Sequence, residues 1–81
     1  MNTNYQPISC NFYDELEALA VKSLACEIVF LDENDQEQTV QTKIETFFIV
    51  QKAEFMQVSG FPPIRLDKLV RVNDRFLSFY C

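Results

Sequence analysis

The spacing of apolar residues in this 81-residue chain changes once, near residue 24, and that change constrains the fold more than any other feature. Before it, Phe12, Leu16, Leu19, Ala20 and Ser23 recur at about 100° per residue and share one side of a helix. After it, apolar residues alternate or run in short blocks between polar turns, which is the habit of strands. The chain therefore reads as one helix laying its stripe on a set of strands.

Pro7 drives Gln6 away from helical geometry, so residues 1–10 read as an extended segment. Ser9 or Asn11 can then cap the helix. Asn11 fits better, because Asp14 stands three residues later, close to a capping box. The helix is predicted over residues 11–22, with Asp14 and Glu15 at its positive end and Lys22 at its negative end. Cys10, Asp14, Glu17, Ala18 and Val21 fall opposite the apolar stripe and Tyr13 flanks them, so the carboxylates are displayed outward.

Residues 24–31 alternate as a strand that is apolar on both faces, as suits a strand covered on both sides. Residues 32–36 make a polar turn, and residues 37–42 pair back as a hairpin. Residues 43–51 stay ambiguous, since Ile44, Phe47 and Phe48 fit a helical turn while residues 46–50 fit a strand. Residues 53–59 read as a third strand, and Gly60, Phe61, Pro62 and Pro63 as a loop. A further strand over residues 64–72 is bent or interrupted at Asp67 and Lys68. Asn73 and Asp74 then turn the chain into a last strand over residues 75–80. A mainly β chain with one N-terminal α-helix and about five short antiparallel strands is most economically a small closed barrel over residues 24–80, because closure removes exposed edges.

Charge narrows the function. Residues 1–40 carry eight carboxylates against Lys22 alone, while residues 41–81 carry six cations against four carboxylates. The first half repels phosphate and attracts a basic partner. Arg65, Lys68, Arg71 and Arg75 could form a basic strip of the kind that lets small Sm-like barrels bind RNA, with Phe or Tyr residues stacking bases. Asp67 and Asp74 are at hand to neutralise it. Catalysis finds little support. Cys10 has no histidine anywhere in the chain to act as its base, and Gly60 is the only glycine, which excludes a glycine-rich phosphate or oxyanion loop. Three cysteines without CxxC spacing and no histidine leave no metal site and imply no cofactor. No apolar run is long enough to cross a membrane and no signal-peptide pattern opens the chain, so a reduced cytoplasmic protein is expected.

Two stretches carry a resemblance. Tyr5, Gln6, Pro7, Ile8, Cys10, Tyr13, Asp14, Leu16 and Glu17, with Arg65, Leu66, Asp67 and Lys68 later, resemble the Rof family of bacterial antiterminators. The layout agrees over nearly the whole chain. The resemblance implies an Sm-like barrel carrying an N-terminal helix. It also implies binding to the N-terminal RNA-binding domain of transcription termination factor Rho, through Cys10, Tyr13, Asp14 and Glu17, with inhibition of Rho-dependent termination. The alternative is a small Sm-like RNA-binding module. In place of the family's pair of aspartates before the Tyr-Asp, this chain has Asn11 and Phe12, with Glu15 near enough to restore part of the charge.

Overall fold

The computed structural model describes residues 8–77. A helix, α1 (Cys10–Lys22), precedes six strands: β1 (Ala25–Leu31), β2 (Glu37–Val50), β3 (Ala53–Val58), β4 (Ile64–Arg65), β5 (Leu69–Val72) and β6 (Arg75–Phe76). A single 3-10 turn, Leu66–Lys68, joins β4 to β5. All neighbouring strands are antiparallel, in the order β4-β3-β2-β1-β5-β6. The predicted last strand ends within the described residues at Phe76, and the rest of it, residues 78–80, lies outside them.

The helix starts one residue earlier than its sequence predicts, and a different residue caps it. Ser9 holds an extended backbone, and its Oγ accepts the Asn11 N–H at 3.1 Å while its carbonyl accepts the Tyr13 N–H at 3.0 Å. Asn11 is thus already helical, and Cys10 opens the first turn instead of closing the extended segment. Asp14 and Glu15 consequently lie beyond the first turn, where the helix dipole is no longer felt strongly. At the other end Ser23 adopts φ +53°. Its N–H and that of Leu24 return to the carbonyls of Ala20 and Leu19, so the last turn is satisfied without a glycine.

β2 is continuous over the ambiguous residues. Its first half pairs with β1 and its second with β3, and the register slips between Ile44 and Thr46. Glu45 is the extra residue of a β-bulge, and one extra residue inverts the alternation. Ile44 is buried and Phe47 packs on the same core, three positions on. That three-residue spacing imitated a helix. Gln51 and Lys52, both with positive φ, form the two-residue turn into β3.

The 3-10 turn also shapes the sheet. In a flat sheet β4 and β5 would lie four strand spacings apart, about 19 Å. The three residues between them allow at most roughly 14 Å. The sheet must therefore curl, and the apolar groups it encloses form the core. Phe12 and Leu16, wholly inaccessible, plug the enclosure from the helix side and meet Ile28, Met56, Leu66 and Val72. Among the described residues no ladder joins β4 to the β5–β6 end, so in place of the expected closed barrel they form an open, curled six-stranded sheet. A second helical contact, Glu15 Oε1 to Arg75 Nε at 3.9 Å, anchors α1 near β6. None of the described helices is long and apolar enough to cross a membrane.

Candidate functional site

The outward face of α1 meets the helix-side face of the β2–β3 hairpin. The buried stripe of Phe12 and Leu16 fixes the roll of the helix, so Cys10, Asp14, Glu17, Ala18 and Val21 are exposed, as the sequence predicts. Tyr13 is half-buried between the two elements. Its ring lies 5.0 Å from that of Phe47, tilted by 38°, which joins the helix to β2 through an aromatic contact. Because cross-strand partners share a face, Ile49 and Glu54 project beside Phe47.

The four residues expected at the site, Cys10, Tyr13, Asp14 and Glu17, all lie on this surface. Two depressions flank the Tyr13–Phe47 pair. One, of about 350 Å³, is bounded by Ile8, Cys10, Tyr13, Asp14 and Glu54. The other, of about 580 Å³, runs between α1 and β2, and Asp14, Glu17, Val21, Glu45 and Phe47 are among its walls. Partial burial, helped by the nearby carboxylates of Glu17 and then Glu54, pushes the Tyr13 phenol above its ordinary value. Tyr13 therefore stays a neutral hydroxyl at physiological pH, able to donate or accept a hydrogen bond.

Glu45 and Glu54 join the acidic face, and sequence reasoning missed both. Their signal was faint. Glu54 stands directly opposite Ile49 across the hairpin, but that register was hidden while β2 was unassigned. Glu45 owes its place to the bulge and lines the trough, and its Oε2 accepts the Ser59 hydroxyl at 2.7 Å, which fixes the carboxylate. Glu15, expected to add charge to this surface, turns instead to Arg75 on the far flank of the helix.

The basic strip is internally neutralised. Arg65 forms a two-point pair with Asp67, Nε to Oδ1 at 2.6 Å and Nη2 to Oδ2 at 2.9 Å. Arg71 donates to Glu27 Oε1 at 2.8 Å and to the Asn73 carbonyl. Lys68 lies 3.8 Å from Asp35, and Arg75 lies near both Glu15 and Asp74. Arg71 also sits over the Phe76 ring, 5.9 Å from its centroid.

The described cysteines, Cys10 and Cys26, are both free. Cys26 is a core residue whose Sγ approaches the Thr42 carbonyl at 3.5 Å, and burial pushes its thiol above the ordinary value. It is chemically quiet. Cys10 is exposed at the rim of the smaller depression.

Fold and surface together define a class: a small, mainly β domain with one helix, presenting a face that is both acidic and aromatic. No family model, curated protein or solved structure matches the chain.

Proposed function

We propose that this protein is a Rho-binding antiterminator, a cytoplasmic, non-enzymatic inhibitor that occupies the RNA-binding N-terminal domain of Rho. On this reading the curled sheet is an open member of the Sm-like barrel type, and α1 is its decoy element. The observation that carries the reading is the surface around Tyr13, where Asp14, Glu17, Glu45 and Glu54 surround an aromatic pair. An RNA-binding groove must offer cations to phosphates and flat apolar surface to bases. Outward carboxylates beside Tyr13 and Phe47 mimic that ligand in both respects, and so hold Rho's cations away from RNA.

Phe12 is fully buried, so one of the two positions at which this chain departs from the family's aspartate pair is a core position here. Glu45 and Glu54 supply carboxylates to the same face from the hairpin. The RNA-binding alternative is disfavoured by the pairing of Arg65, Lys68, Arg71 and Arg75 with carboxylates of their own chain. Phosphates would have to displace those partners.

The test is a titration of purified Rho with the labelled protein at rising salt, with pyrimidine-rich RNA as competitor. Binding that weakens steeply with salt and is mutually exclusive with RNA is expected, since exposed charges are screened within about 10 Å at roughly 0.1 M salt. Absence of Rho binding at low salt, or micromolar affinity of the free protein for the RNA, would refute the proposal.

A further inference from the structure

The larger depression is more than the outer side of the helix. Its helical wall includes Ala18 and Val21, its opposite wall is Thr46 and Phe47 of β2, and carboxylates stand on both rims: Asp14 and Glu17 on one, Glu45 on the other. Val21 is 85% exposed and Ile49, next along the Phe47 face, is 66% exposed. A single exposed aliphatic residue needs no explanation. Here, however, apolar groups on two separate elements, exposed Val21 and partly buried Phe47, line one trough, and the rims carry one dominant sign of charge.

We propose that this trough receives a short segment of the partner, which places an apolar side chain between Val21 and Phe47 and basic side chains against the two rims. The β2–β3 hairpin is then the second wall of the binding surface, and Glu45 helps to select the partner. The inference rests on the Rho reading, which supplies the partner as a segment of Rho's RNA-binding domain. Charge favours this occupant over the other candidates. A second copy docked about a twofold axis would bring Asp14, Glu17 and Glu45 near their own counterparts, and like charges so placed oppose association. Nucleic acid would bring phosphates to the same rims. Lys22, at the end of the helical wall, is the one cation among the lining residues described. It gives the trough a polarity, with its basic end at the C-terminus of α1.

The bulge provides the positioning. Were β2 regular through Glu45, its alternation would be one residue out of phase beyond that point, and Phe47 would leave the helix side. One insertion therefore sets both the floor of the trough and the charged rim beside it.

The test uses the full chain and the intact Rho hexamer, with affinity and backbone hydrogen exchange both measured. Thr46→Arg puts a long cation into the trough from an exposed strand position and is expected to weaken Rho binding at least tenfold. Glu45→Gln keeps an acceptor for Ser59 while removing the charge, and should weaken binding several-fold. Both variants should melt like the parent. Amides of residues 45–49 should gain protection on binding along with those of α1. If Rho binds, Asp14→Lys weakens it, and yet both trough variants stay within twofold with no added protection in β2, this inference falls and the Rho reading stands. If the parent does not bind Rho, the Rho reading fails and this inference with it. Self-association that Thr46→Arg abolishes would make a second copy the occupant and would likewise overturn it.

Discussion

Leu16→Ala tests whether α1 belongs to the same cooperative core as the sheet. Leu16 is wholly inaccessible and sits in one cluster with Phe12, Ile28, Leu66 and Val72, drawn from helix and sheet alike. Burying a leucine stabilises a domain by about 1.5–3 kcal/mol. Truncating a fully buried one costs about 2–5 kcal/mol once the cavity is included. With neighbours this enclosed, about 3 kcal/mol is expected. A domain of 81 residues holds about 4–12 kcal/mol in total. The variant should thus lose a large share of its stability, and its melting temperature should drop by roughly 12–24 °C. Val21→Ala is the internal control, since an exposed position should move stability by no more than about 0.5 kcal/mol. Urea unfolding followed by circular dichroism gives both midpoint and slope. An unchanged slope with a much lower midpoint is expected. A Leu16→Ala midpoint equal to that of Val21→Ala would refute the packing. So would a slope reduced to that of the sheet alone, because the helix would then be detaching separately. Leu16→Asp adds an unpaired buried carboxylate and should leave no stable fold.

If the proposed Rho binding holds, Asp14→Lys and Glu17→Lys should each weaken it by about 1–3 kcal/mol, roughly 5- to 150-fold, with unchanged melting; an affinity equal to the parent's in both variants would remove α1 from the interface. Asp32 accepts the Gln36 N–H, the Gln38 side-chain amide and the Asn34 N–H, and these bonds hold its carboxyl below the usual range. Because the folded value lies below the unfolded one, this contribution is complete above about pH 4 and fades as pH falls through the folded value. Asp32→Asn should accordingly show a flatter loss of melting temperature than the parent on acidification, and parallel curves would contradict the assignment. Asn73 holds φ +54°, accepts the Glu27 N–H on Oδ1 at 3.0 Å and donates its own N–H to the Glu27 carbonyl at 2.8 Å. Asn73→Ala should cost about 1–2 kcal/mol in chemical denaturation, through a lost side-chain bond and a strained backbone.

Helix α1 was legible because Phe12, Leu16, Leu19 and Ala20 repeat at helical spacing, and that spacing alone set which residues face out. The β1–β2 hairpin was equally plain, since polar residues 32–36 separate two runs of strand formers. The cap was misjudged because Ser9 and Asn11 both carry suitable side chains, and the choice depends on where the backbone leaves extended geometry. β2 defeated a periodicity argument because the bulge at Glu45 breaks the period on which such arguments depend. The same bulge concealed Glu45 and Glu54 as members of the acidic face. The interruption at Asp67 and Lys68 was visible, but its consequence was not. Residues on either side pair with β3 and with β1, on opposite sides of β2 in the sheet order, a long-range fact with no local signature.

That three-residue turn also orders the folding of the chain. The β1–β2 and β2–β3 hairpins join residues close in sequence, and loops that short close quickly. Docking β5 on β1 brings residue 72 to residue 28, and β4 must meet β3 at nearly the same moment, because Leu66–Lys68 leaves little slack. The two edges of the sheet are thus tied into a single late event. Core mutations at Leu66 or Val72 should chiefly accelerate unfolding, whereas those at Ile28 or Met56, in the early hairpins, should slow folding. Stopped-flow chevrons of Val72→Ala and Ile28→Val would distinguish the two classes, and equal partition between the limbs would dissolve this order of events.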